Sequence, residues 1–208
     1  MKDFAIHICT IDLETGNSTS EQRIIRESSS GISEGSHIFK RGKYYYLLTA
    51  EGGTGSEHSQ SVSRSETGPF GPWEVAPHNP LCRNGPDDEI QNIGHADLVE
   101  DAEGRWWSVL LGVRPVMRGD GWENSVFGTY IHILTVLISE PLTSYSSGRE
   151  TFLVPVSWVD DWPVFNRGSK VSLQSTAPDL YPHEIPITWR DDFSAPSLQL
   201  GWHRKSMY

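Results

Sequence analysis

The chain has 208 residues, 37% of them hydrophobic and 21% charged, which suffices for one substantial packed domain. Seventeen Lys and Arg against 27 Asp and Glu give a formal net charge of -10. That balance argues against nucleic acid and anionic membranes as partners, because both bind through cationic groups.

In chain order, Phe4 to Leu13 reads as a strand that ends at the turn Glu14-Thr15-Gly16-Asn17, with a second short strand at Gln22 to Ile25. Met1 to Ile6 lacks an apolar h-region, so no secretory leader is read and no compartment is assigned. His37 to Leu48 and Asp97 to Leu110 resemble each other. Each is a short apolar strand, a charged turn with Gly42 or Gly104, then a basic residue, aromatics and an aliphatic run. Both predict β-hairpins. Further strands are predicted at Glu57 to Arg64 and Thr151 to Val156, separated from the hairpins by breakers such as Thr67 to Pro72. Val126 to Ile138, the longest apolar stretch at thirteen residues, is too short to span a bilayer. Residues 168–188 read as a linker, and Trp189-Arg190-Asp191-Asp192-Phe193 as the start of a new module. Cys9 and Cys82 show no metal or disulfide spacing.

The two turn glycines lie 62 residues apart. A repeat of this size, with four strands per unit, predicts an all-β propeller. The first strand of each blade lines the axis of such a fold, so equivalent positions converge there. Glu34 precedes Gly42 by eight residues and His95 precedes Gly104 by nine, which makes the two positions equivalent or nearly so. Glu34, His95 and Arg114 are therefore candidates for an acid, a polar orienter and a cation in one pocket. The plainer reading makes Glu34 a solvated turn residue, His95 a structural histidine and Arg114 half of a surface ion pair. Trp106, Trp107, Trp158 and Trp162 fit a core better than a sugar platform, although an acidic, Trp-rich chain suits a neutral sugar. The Gly-rich loop Gly52-Gly53-Thr54-Gly55 lacks the lysine and following helix of a phosphate cradle.

Several segments together resemble glycoside hydrolase family 43, in its β-xylosidase and α-L-arabinofuranosidase branch. They are Glu34-Gly35-Ser36-His37, Tyr44 to Thr54, His58 to Ser65, Gly68 to Glu74, Gly94 to Glu100, Leu111-Gly112-Val113-Arg114-Pro115, Gly148 to Leu153 and Trp162 to Asn166. The resemblance implies a five-bladed β-propeller and hydrolysis with inversion by a general base Asp, a tuning Asp and a general acid Glu. Glu34 matches the acid. His95 matches an active-site histidine that in some relatives holds a hydrated, structural calcium ion; no cofactor is otherwise required. Arg114, His58 and Thr54 match substrate-binding positions, the last two on a loop bordering the pocket. The expected partner is a xylo- or arabino-oligosaccharide.

Two departures accompany it. Asp3 and Asp12 do not sit in the motifs of the base or the tuning Asp, so the resemblance implies impaired hydrolysis by this chain. The alternative is a non-catalytic carbohydrate-binding propeller fragment; a protein-interaction propeller lacks its WD or kelch signature. The expected organisation is an incomplete five-bladed propeller over 1–167, the linker, and over 189–208 the start of a truncated β-sandwich. Residues 116–147 form an atypical insertion, either a large loop or translated non-coding sequence.

Overall fold

The computed structural model describes residues 4–118, 121–123 and 149–174. Among these the chain is all-β, with twelve strands and one short 3-10 turn at Asn166–Gly168. No described helix is long and apolar enough to cross a membrane.

Two four-stranded antiparallel sheets form the body, and both are propeller blades. The first runs β3 (Ser33–Arg41), β4 (Tyr44–Glu51), β5 (Ser59–Ser65) and β6 (Glu74–Val75) in simple meander order. The second contains β7 (Gln91–Glu100), β8 (Trp106–Val113), β11 (Glu150–Val159) and β12 (Trp162–Phe165), again each beside the next. Both predicted hairpins are present. Gly42 sits at φ +58 in a two-residue turn closed by the Arg41–Tyr44 pair, a conformation that favours glycine. The second turn is longer, because Glu100 pairs with Trp106.

The insertion lies inside the second blade. β8 and β11 stay in continuous register, with Gly112 opposite Glu150, although residues 114–149 intervene. Of that segment, β9 (Val116–Arg118) and β10 (Gly121–Glu123) pair as a small antiparallel hairpin; residues 119–120 and 124–148 lie outside the described residues.

Alternation of apolar residues puts one face of each blade against the other. Tyr46, Leu48 and Val62 of the first blade meet Ile93, Ala96, Leu110, Val154 and Val156 of the second. The tryptophans belong to this packing. Trp106 and Trp158 lie 5.3 Å apart at near right angles, and Phe39 stacks on Tyr46 at 5.2 Å. At the outer end Arg64 is sandwiched between Tyr44 and Trp162, its carbon 4.3 and 4.0 Å from their ring centres. Arg64 Nη1 also donates to the Asp160 carbonyl at 2.8 Å, and its Nε to Glu74 at 2.8 Å.

Two expectations need correction. The opening strand is only β1 (Ile6–Ile8), paired with β2 (Arg23–Arg26). The ladder shifts after Ile6, and the Asp12 carboxylate accepts the Glu14 amide at 2.8 Å, so local turn hydrogen bonding wins over extension. Leu13 has no apolar surface to face and is 90% exposed. The expected linker also begins too early. Val171 is buried, its amide donating to Asn84 Oδ1 at 3.2 Å and its carbonyl accepting from Asn84 Nδ2 at 2.7 Å. Lys170 pairs with Asp88 at 2.7 Å. Lys170 and Val171 are therefore tied to the body. The remainder of the linker and the 189–208 module lie outside the described residues.

Candidate active site

The first strands of the two blades carry the same irregularity. On β3 the ladder pairs Glu34 with Ala50, skips two residues, and resumes with His37 opposite Leu48. On β7 it pairs Gly94 with Leu111, skips two residues, and resumes with Asp97 opposite Val109. The bulges superimpose in register, so Glu34 is equivalent to Gly94, and Gly35 to His95. Gly35 and His95 both have φ +54. The expected equivalence of Glu34 and His95 is thus offset by one residue. The physical reason is the second turn, five residues between Glu100 and Trp106 against two between Arg41 and Tyr44, which shifts Gly104 relative to Gly42; the shared bulge re-aims adjacent positions into one space.

The offset has a steric logic. A Cβ on Gly35 would stand 2.5 Å from Nε2 of His95, so the imidazole occupies the place of the missing side chain. A Cβ on Gly94 would likewise stand 2.7 Å from Nε2 of His58. His58 comes from the first blade, just before β5, and seats on a glycine of the second. His95 comes from the second blade and seats on a glycine of the first. Between them they bring a ring nitrogen of each histidine and a carboxylate oxygen of Glu34 within 4.8 Å of one another.

The three groups differ in exposure. Glu34 and His95 are half-buried and His58 is 2% exposed. His58 Nδ1 lies 2.8 Å from the Asn92 carbonyl. A carbonyl only accepts, so Nδ1 carries the hydrogen and Nε2 keeps its lone pair. That Nε2 is buried with no hydrogen-bond partner among the described residues. Burial first of all holds His58 below the ordinary imidazole pKa, partly opposed by the Asn92 hydrogen bond; His95 and Arg149 lower it further, and Glu34 raises it. His58 is therefore a neutral, fixed acceptor.

The other expected residues fall around this cluster. Thr54 is exposed on the loop after β4, and its carbonyl accepts from Asn92 Nδ2 at 3.3 Å, which ties the loop to the start of β7. Arg114, just beyond β8, does not join the cluster; Glu150 of β11 binds its guanidinium through two contacts, one of 2.8 Å. His58 is buried beside Glu34 and His95. Asn92 and Arg149 carry no role in the sequence reading. Arg149 lies within a segment of the resemblance, Gly148 to Leu153. Asn92 has φ +53, which no sequence pattern announces. Cys82 is buried and its thiol is pushed up to about 12, which removes it from thiolate chemistry here.

A directly bound calcium ion does not fit these donors. Calcium takes six to eight oxygens, and the cluster offers one carboxylate and two imidazoles.

The model of glycosyl hydrolases family 43 matches residues 2–163. The non-reducing end α-L-arabinofuranosidase BoGH43B of Bacteroides ovatus is 40% identical over 92% of the chain and 32% of its own length. A β-xylosidase of Bacillus subtilis is 35% identical over 82% of the chain and 30% of its own. The chain thus spans about a third of these curated relatives. The crystal structure of a xylan β-1,4-xylosidase from Bacillus halodurans superimposes with a TM-score of 0.72 at 30% identity, covering 94% of the chain and 34% of its own.

Proposed function

The chain belongs to glycosyl hydrolases family 43, and on that premise we propose that Glu34 is the proton donor in inverting hydrolysis of xylosides or arabinosides. The observation that carries the proposal is the convergence of Glu34, His95 and His58 from two blades through matched bulges. The relatives named as an arabinofuranosidase and β-xylosidases supply the substrate class.

Inversion needs two carboxyl groups about 6.5–9.5 Å apart, one to protonate the leaving oxygen and one to activate water on the opposite face. Glu34 fills the first role. It is half-buried beside His95, whose imidazole packs against Gly35. Arg114, held flat by Glu150, and the loop carrying Thr54 contribute sugar contacts. The second role is not filled by Asp12, whose carboxylate is engaged in its own turn. Each acid or base is worth about 10²- to 10⁴-fold in rate, so turnover by this chain alone is weak.

The test compares xylobiose and arabino-oligosaccharide with aryl xylosides and arabinofuranosides, for the natural sequence and Glu34→Gln. A sugar alcohol leaves only with a proton, whereas an aryl group leaves readily as an anion. We expect Glu34→Gln to lower kcat/KM on oligosaccharides by about 10²–10⁴ and on aryl glycosides far less. Equal losses on both, or no loss, refute Glu34 as the donor. Oligosaccharide binding without turnover, indifferent to Glu34→Gln, establishes the carbohydrate-binding reading instead.

A further inference from the structure

The donor set that rejects calcium selects a different cation. We propose that Glu34, His58 and His95 form a binding site for a nitrogen-preferring divalent metal ion of the zinc class, which on occupation captures the proton donor and stops hydrolysis. The inhibitory half rests on the reading of Glu34 given above; the binding half does not.

Three observations carry it. The first is the ligand set: two imidazoles and a carboxylate suit zinc, nickel or cobalt, and suit magnesium and calcium poorly. The second is His58. A metal-binding histidine characteristically donates its other ring N–H to a carbonyl or carboxylate, which fixes the tautomer and aims the lone pair. His58 has this arrangement, with Nδ1 on the Asn92 carbonyl at 2.8 Å and a buried Nε2 without a partner among the described residues. A buried acceptor left bare is costly, and a metal ion satisfies it. The third is distance. The three ligand atoms lie within 4.8 Å of one another, and two ligands on a tetrahedral zinc ion stand about 3.4 Å apart given bonds of about 2.1 Å. The required closure is at most about 1.4 Å. It falls to Glu34 and His95, which are half-buried, while His58 stays fixed.

The charges around the site are mixed. The Glu34 carboxylate favours a cation. Arg149, close enough to lower the His58 pKa, opposes one. The resulting site binds metal reversibly, as an inhibitory site must.

The experiment is calorimetric titration of the full chain with Zn²⁺, alone and in the presence of excess Ca²⁺, together with the visible absorption spectrum of the Co²⁺-loaded protein. We expect one Zn²⁺ per chain, undisturbed by Ca²⁺. We expect affinity to fall more than about tenfold in each of His58→Gln, His95→Gln and Glu34→Gln, with loss of the Co²⁺ ligand-field bands. His95 and Glu34 are half-buried, so their variants decide the matter if His58→Gln does not fold. Unchanged Zn²⁺ affinity in His95→Gln and Glu34→Gln overturns the site, as does displacement of Zn²⁺ by an equal concentration of Ca²⁺. Tight Zn²⁺ binding without loss of oligosaccharide hydrolysis overturns the inhibitory half alone.

Discussion

Gly94→Ala isolates the seating of one histidine on the opposite blade. Gly94 does not occupy the left-handed region, so an alanine adds only volume there. Its methyl group would stand 2.7, 2.8 and 2.9 Å from Nε2, Cε1 and Cδ2 of His58, against a comfortable separation of about 3.5–4.0 Å. The ring must therefore retreat by roughly 1 Å. It is buried and tethered to the Asn92 carbonyl. Overpacking of this kind costs about 1–3 kcal/mol. Breaking the tether adds about 1–3 kcal/mol for a buried polar group left unpaired. The expected loss is about 2–6 kcal/mol, a large share of a small domain's stability. Urea unfolding of the natural sequence, Gly94→Ala, His58→Ala and the double variant measures it. With His58 removed the obstruction is gone, so Gly94→Ala should then cost almost nothing, and the cycle should show a coupling above about 1 kcal/mol. Additive losses, within about 0.5 kcal/mol, refute the interlocked packing.

Two further outcomes follow from contacts elsewhere. Arg64→Lys keeps the charge but cannot stack between Tyr44 and Trp162 while reaching the Asp160 carbonyl and Glu74; it should cost about 1–3 kcal/mol in denaturant unfolding, and an unchanged midpoint would contradict the clamp. Burial alone would raise the Asp101 carboxyl, but hydrogen bonds from Trp107 and Arg105, and the guanidinium charge, hold it at about 2. Because that value lies below the unfolded 3.8, its contribution is complete above about pH 3.8 and is lost as pH falls through about 2. Asp101→Asn should flatten the acid limb of the stability profile between pH 5 and 2, and coincident limbs for the two proteins would count against the assignment.

The blade pattern was legible because it is written in hydrophobic periodicity and turn residues. Tyr44 to Leu48 and Trp106 to Leu110 alternate or run apolar beside Gly42 and Gly104, and these signals are local. Glu34 and His95 were legible for the same reason, as positions counted back from those turns. The two positions are offset by one because the turn after Glu100 is longer than the turn after Arg41 by more than the glycine spacing reveals. What stayed hidden depends on backbone conformation or on distant partners. The left-handed Asn92, the bare Nε2 of His58 and the grip of Asn84 on Val171 each arise between segments far apart in sequence. Arg114 pairs with a carboxylate, as its plainer reading has it, but nothing in the sequence singles out Glu150, 36 residues away.

The long segment 114–149 departs from β8 and rejoins at β11 without disturbing their ladder. Its two anchors, Arg114 and Glu150, grip each other across the gap. Lengthening a closed connection is thermodynamically cheap, about 0.6 kcal/mol for each doubling. The chain can therefore exchange or extend this connection while the strands on either side of it keep their register.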